Sequence, residues 1–284
     1  MQRALADVWN QKVARLPADG VLLVCTDLHG NLADFERMLE LYDAEEALGN
    51  RPVLAFCGDL VHGPSKRWVS TWPSHLGTPF VDASAELICR FEEITRERRV
   101  FTIMGNHEHS HVGGPVVPKF YPDEAAVLER TLGDRADGIR DFMGTFPLVA
   151  VGPCGIVLTH GAPAATLPSA EAFEDLDYAG YDHLPFHSMC GLDVMGTLLW
   201  ARGCGDSEAV ALLMALTGSP DGVVAFGHDI VREGYAVEGP HHICVSTSFG
   251  VFDARKRYLR LDLGGRYAST GDLREGHEIL HLYP

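Results

Sequence analysis

Val100-Phe101-Thr102-Ile103-Met104-Gly105-Asn106-His107-Glu108 is the stretch whose reading decides the fold. Its first five residues are apolar or β-branched, the pattern of a short strand buried on both faces. The glycine then releases the chain into a loop carrying an amide, an imidazole and a carboxylate. Working outward, the arrangement recurs. Val21–Thr26 leads into Asp27-Leu28-His29-Gly30, Val53–Cys57 into Gly58-Asp59, Ile156–Thr159 into His160-Gly161, and Val223–Phe226 into Gly227-His228. Asp-x-His or Gly-Asp alone occurs freely by chance; Gly-Asn-His-Glu after a strand is far more specific. Taken together, two carboxylates, one amide and three or four imidazoles converge from separate strand ends on one edge of a sheet. That is the ligand set a pair of divalent ions needs, and paired metals serve mainly phosphate-ester chemistry.

Composition sets the outer bounds. The chain has 284 residues, of which 46% are hydrophobic and 22% charged, enough for a sizeable core. A formal net charge of −16 argues against nucleic-acid polymers and acidic membranes as partners, since both demand a basic footprint. It does not argue against a phosphate substrate, because bound metal supplies its own positive charge. No apolar run is long enough to span a bilayer and the first residues lack a signal-peptide core. The seven cysteines are scattered without a Cys-x-x-Cys pair. A cytoplasmic protein with reduced thiols is the expectation, Cys25 and Cys57 packing in strands.

Leu32, Phe35, Leu39 and Tyr42 recur at helical spacing after the first motif. Helices are also expected over Ala83–Arg99 and Asp123–Leu132, and late strands over Ile243–Thr247, Tyr258–Leu263 and Glu278–Leu282. No linker or repeat divides the chain, so a single domain over 1–284 is expected. Two insertions, at about 64–80 and 163–185, interrupt the regular pattern. Such stretches beside strand-end loops serve as lids or binding loops, although the second, rich in Glu and Asp, reads equally well as a solvated acidic loop.

The order and spacing of the five motifs resemble the calcineurin-like metallophosphoesterases, within them the PPP-type serine/threonine phosphatases and their diadenosine tetraphosphatase relatives, from about Val21 to about Leu263. The resemblance implies an α/β (α+β) fold, a four-layer α-β-β-α sandwich of the metallo-dependent phosphatase type; periodicity alone leaves a single doubly wound sheet open. It implies that Asp27, His29 and Asp59 bind one ion, that Asp59, Asn106, His160 and His228 bind a second, and that Asp59 bridges them. Two divalent ions are implied, Mn²⁺ first among Fe, Zn, Ni and Mg, with a metal-bridging hydroxide attacking phosphorus in line. His107 matches the family's general acid, Glu108 a loop-holding residue, and Arg202, in Leu198-Leu199-Trp200-Ala201-Arg202, a phosphate-gripping arginine. With Asn106 and His107 it would contact substrate. His228 is followed by Asp229 and Ile230 rather than by a second histidine, as in the PPP-type branch.

The second motif departs from the pattern Gly-Asp-x-Val-Asp-Arg-Gly: here His62 stands where an aspartate orients the general acid, and Gly63 where a second phosphate-binding arginine is expected. Lys66 or Arg67 could reach in as substitutes. A His62–His107 pair is expected to disfavour protonated His107, weakening monoesterase activity or moving its optimum to acid pH. His109, His111, His241 and His242 read as bystanders, the first pair as exposed loop residues. The functional expectation is a phosphate-monoester hydrolase of the PPP-like protein phosphatase kind. The alternatives are a nucleotide phosphohydrolase, for which Trp68, Trp72 and Phe80 offer aromatic surface, and a metal-holding regulator with weakened catalysis. The partner is thus a phosphoprotein, or a small phosphate ester or nucleotide.

Overall fold

The computed structural model describes residues 3–284, without the side chains of residues 69 and 70. In chain order the strands are β1 (Val13–Arg15), β2 (Val21–Cys25), β3 (Val53–Phe56), β4 (Val100–Thr102), β5 (Val149–Gly152), β6 (Ile156–Leu158), β7 (Val223–Phe226), β8 (Tyr235–Gly239), β9 (His242–Val245), β10 (Arg257–Asp262) and β11 (Ile279–His281). They form two sheets, ordered β11-β10-β2-β3-β4 and β1-β5-β6-β7-β9-β8. Helices α1 (Leu32–Ala47), α2 (Ser84–Ile94), α3 (Asn106–Val112), α4 (Glu124–Leu132), α5 (Ala136–Met143), α6 (Ala170–Glu174), α7 (Val194–Trp200) and α8 (Asp206–Thr217) flank them. Two mixed sheets between helices make the sandwich, and a single doubly wound sheet is excluded.

Topology explains why the motifs meet. β2, β3 and β4 are parallel neighbours, as are β6, β7 and β9. The carboxyl ends of β2, β3 and β4 therefore lie at one edge, as do those of β6 and β7. Each expected strand is present, up to two residues shorter at its motif end, because the motif residues turn out of the ladder. One continuous apolar core draws on both sheets, through Val24, Phe56 and Phe101 on one side and Val157 and Val224 on the other. Cys25 and Cys57 are buried within it. No helix among the described residues is long and apolar enough to cross a membrane.

A buried ion pair ties an early helix to a late loop. Lys256 Nζ donates to both Asp34 oxygens at 2.7 and 3.0 Å and sits 2.8 Å from Asp253. Asp34 also accepts from Asn31 Nδ2, Ser248 Oγ and Tyr283 Oη. The cluster thus fastens the first turn of α1 to the loop after β9.

The insertions are more ordinary than their composition suggests. Trp72 and Phe80 pack on each other at 5.6 Å, beside a small cluster of Leu76, Phe120 and Phe249. Trp72 and Phe80 thus serve packing there. In the acidic insertion Glu174 accepts from the Lys12 and Val13 amides, closing the free edge at β1.

Candidate metal centre

The loops after β3 and β4 touch backbone to backbone. A Cβ at Gly58 would stand 2.5 Å from Gly105 Cα, and one at Gly105 2.4 Å from Asp59 N, so both positions require glycine. Glu108, at the start of α3, holds the two loops together. It accepts from Asp59 N and Leu60 N at 2.8 Å, Gly105 N at 3.2 Å and Val61 N at 3.3 Å. A carboxylate that satisfies four amides has no capacity left for catalysis. Asp27, His29, Asp59, His62 and His228 all have positive φ, five of the seven non-glycine residues that do among the described residues. Asp and His tolerate that region better than most residues, at a cost on the order of 1 kcal/mol or more each. Replacing Glu108 by Ala is expected to lower metal affinity by roughly 10–100-fold, as loss of an outer support does. Calorimetric titration of Mn²⁺ checks this, and an unchanged affinity would contradict the clamp.

Asp59 faces two ways. Its Oδ1 lies 3.5 Å from His160 Nε2 and accepts from His107 N at 3.1 Å; its Oδ2 lies 3.5 Å from His29 Nε2 and 3.9 Å from His107 Nε2. Around Oδ1, His160 Nε2 is also 2.8 Å from Asn106 Oδ1 and 3.1 Å from His228 Nδ1. Asp27 lies slightly apart, both its oxygens accepting from His228 N at 3.0 and 3.1 Å.

Proton placement tests whether cations suit this set. His160 Nδ1 is 2.7 Å from the Cys57 carbonyl, which can only accept. Burial lowers the His160 pKa, so the ring is neutral with its one proton on Nδ1. Its Nε2 lone pair therefore meets an amide oxygen and a carboxylate oxygen. His29 repeats the pattern, with Nδ1 toward the Val61 and His62 carbonyls and Nε2 toward Asp59. At His160 such converging lone pairs repel unless a cation lies among them, whereas at His29 the Lys119 ammonium stands 3.1 Å from Nε2. Nitrogen and oxygen donors with two separate faces of one carboxylate fit a pair of divalent ions.

Lys119 is a residue the sequence reading missed. The residue is exposed as a whole, yet its ammonium turns inward to 3.1 Å from His29 Nε2 and over the Phe249 ring at 4.2 Å. Nothing in the sequence around Lys119 marks it as a substitute for the missing arginine. The expectation for Lys66 is corrected: it lines a different cavity. Gly63 is explained sterically, since a Cβ there would lie 2.4 Å from the His29 carbonyl oxygen. No arginine fits at that position.

His109 and His111 are not exposed loop residues, as expected above, but buried on α3. His109 Nε2 lies 2.8 Å from the Tyr178 carbonyl. His111 Nε2 lies 2.9 Å from His62 Nε2, and its Nδ1 is 3.3 Å from Glu129 Oε1. His62 Nδ1 in turn is 2.9 Å from His107 Nδ1. A carboxylate does reach His107 after all: Glu124 Oε2, from α4, is 3.1 Å from His107 Nδ1 and 3.5 Å from His62 Nδ1.

Burial dominates the electrostatics. It pushes Asp27 and Asp59 each up to about 7 and Glu124 up to about 8. It holds His29, His62, His107 and His228 well below the usual imidazole value, and lowers His109, His111 and His160. Without metal, seven imidazoles must gain protons on unfolding below about pH 6.5, whereas three carboxyls, Asp27, Asp59 and Glu124, would lose them, Glu108 being held ionised by its four amides. The unfolded chain therefore binds more protons, and stability falls as pH is lowered. The melting temperature of metal-stripped protein is expected to drop by several degrees per pH unit between 6.5 and 5; a rise on acidification would refute the neutral-histidine assignment.

A cleft of about 240 Å³ opens over this centre, lined among others by His107, Lys119, Phe186, Trp200 and Arg202. Arg202 stands at its lip, donating to Asp229 Oδ1 at 2.7 Å and to the His228 carbonyl at 3.2 Å. Phe186 and Trp200 pack at 5.8 Å on one wall.

Comparison with known proteins agrees with the fold. A serine/threonine protein phosphatase from Saccharomyces cerevisiae, similar to human phosphatase PP5, superposes with a TM-score of 0.58 at 16% identity, over 89% of this chain and 77% of that one. A cold-active protein-tyrosine phosphatase of the psychrophile Shewanella sp. gives 0.54 at 14% identity, over 89% and 78%. No curated protein matches the chain in sequence. The family model for the calcineurin-like phosphoesterases matches residues 20–239. That span contains every motif loop described above, and the chain belongs to the calcineurin-like phosphoesterase family.

Proposed function

We propose that the chain hydrolyses phosphate monoesters with two divalent ions, Mn²⁺ foremost, and acts on phosphorylated serine or threonine in proteins. The observation that carries this reading is the two-faced Asp59, each oxygen turned to a separate group of donors. Asp27, His29 and Asp59 would hold one ion, and Asp59, Asn106, His160 and His228 the other. Ions held there would supply Lewis acidity and a nucleophile at neutral pH.

The protein's own residues do the rest. Arg202 and Lys119 face the cleft as cations and bind the equatorial phosphate oxygens, Lys119 replacing the grip that Gly63 cannot provide. His107 presents Nε2 on the cleft side and gives a proton to the leaving-group oxygen. The volume of about 240 Å³ suits a phosphorylated side chain with its backbone outside, and is small for a dinucleotide. A nucleotide substrate is the second reading, favoured by the Phe186–Trp200 wall, on which a base could stack.

The test is hydrolysis by metal-stripped protein with and without Mn²⁺, first of p-nitrophenyl phosphate, then of a phosphoserine peptide and diadenosine tetraphosphate side by side. Metal-dependent phosphate release, faster from the peptide, is expected. Faster formation of ADP from the dinucleotide would move the assignment to the second reading. No metal-dependent turnover on any of the three would defeat both.

A further inference from the structure

We propose a third cation site, separate from the pair, formed by His62, His107 and Glu124. The three donor atoms are His62 Nδ1, His107 Nδ1 and Glu124 Oε2, separated by 2.9, 3.1 and 3.5 Å. Donors on one face of a tetrahedral site with bonds of ~2.0–2.1 Å lie about 3.3 Å apart. All three residues are buried. Glu124 Oε2 is a buried carboxylate oxygen with no hydrogen-bond partner, and it is aimed into the triangle. Its companion Oε1 is already fixed by Phe120 N, so the side chain cannot turn away to find a donor.

The proton count around His62 points the same way. Glu129 accepts from His111 Nδ1, which leaves a lone pair on His111 Nε2. His62 Nε2 must donate to that lone pair, across 2.9 Å. His62 Nδ1 is then itself a lone pair, turned toward Glu124 and His107. One proton on His107 Nδ1 can serve His62, and Glu124 Oε2 is then left to hold a proton of its own between the two rings, the place an ion would take. An ion satisfies all three, and the His62–His111–Glu129 chain becomes the outer support that metal-bound histidines commonly have.

Two imidazoles and a carboxylate with one position open are a zinc-type donor set. The ion has its own way in. A cavity of about 530 Å³, lined by Lys66, Asp82, Ser84 and Tyr121 among others, reaches both His62 and Glu124 and shares no lining residue with the substrate cleft. Its effect on catalysis is positional: ligation at Nδ1 fixes the His107 proton on Nε2, the atom on the cleft side.

Metal counting tests this apart from turnover. Metal-stripped wild type, Glu124→Gln and Asp59→Asn are equilibrated with Zn²⁺, dialysed, and assayed by mass spectrometry of bound metal. Three ions per chain in the wild type and two in Glu124→Gln are expected. Asp59→Asn should keep an ion that is lost when Glu124→Gln is added to it. Equal counts in wild type and Glu124→Gln would overturn the third site and leave the pair untouched. A wild-type count retained by Asp59→Asn, with the Glu124-dependent ion still present, would instead undo the pair and support the third site. Should Glu124→Gln fold poorly by circular dichroism, His62→Asn, which suits the positive φ there, is expected to lose the same single ion; retention of that ion would overturn the proposal.

Discussion

An Asp59→Asn variant is expected to lose on the order of 10³-fold or more in kcat, at least the cost of removing one electrostatic contact from a transition state. Asp59 alone among the cleft residues offers an oxygen to each donor group, so its loss weakens both sides together. The substitution isolates the charge. Asn adopts positive φ readily, so the φ of 54° at this position is retained without added strain. Its amide oxygen can still accept from His107 N as Asp59 Oδ1 does at 3.1 Å. Fold and loop should therefore survive, which a circular dichroism melt of the metal-free protein checks. A variant with more than a tenth of wild-type kcat at saturating Mn²⁺ would remove Asp59 from the centre of the mechanism.

Lys256→Met should destabilise the fold by about 3–5 kcal/mol. The ammonium is 2% exposed and is shared between Asp34 and Asp253. Removing it leaves Asp34 buried with only neutral donors, and an uncompensated buried charge is the costly outcome. For a chain of this length the melting temperature should fall by roughly 6–20 °C. Pairing the change with Asp34→Asn should recover part of the loss, because the stranded charge is then gone. If the double variant is no better than the single one, the cost lies in packing of the lysine stem.

Much of this architecture was legible because the chemistry is local to strand ends. Five apolar runs each stop at a motif, and the parallel order of β2–β3–β4 and β6–β7 then brings the motifs together. The less regular strands gave less signal. β1, with three residues, and β5, with four, have too few positions to show a period, and β8 is a partly exposed edge. Lys119 and Glu124 were invisible for another reason. Neither belongs to a motif: Lys119 reaches His29 from 90 positions away, and Glu124 reaches His107 from the start of the next helix. His111 was misjudged because a run of alternating histidines looks like a polar loop, whereas α3 turns His107 and His111 to the same side, four residues apart.

The Glu108 clamp bears on how this protein would behave as metal supply changes. The loops carrying Asp59 and Asn106 are joined by three amide hydrogen bonds to the Glu108 side chain, independently of any ion. A chelator should therefore empty the cleft without unravelling it, and reloading should need no refolding. Ions held in a scaffold of that kind can be exchanged, and preference among first-row metals then follows abundance as much as intrinsic affinity. Mismetallation, rather than unfolding, becomes the characteristic way for such a protein to lose or change its activity.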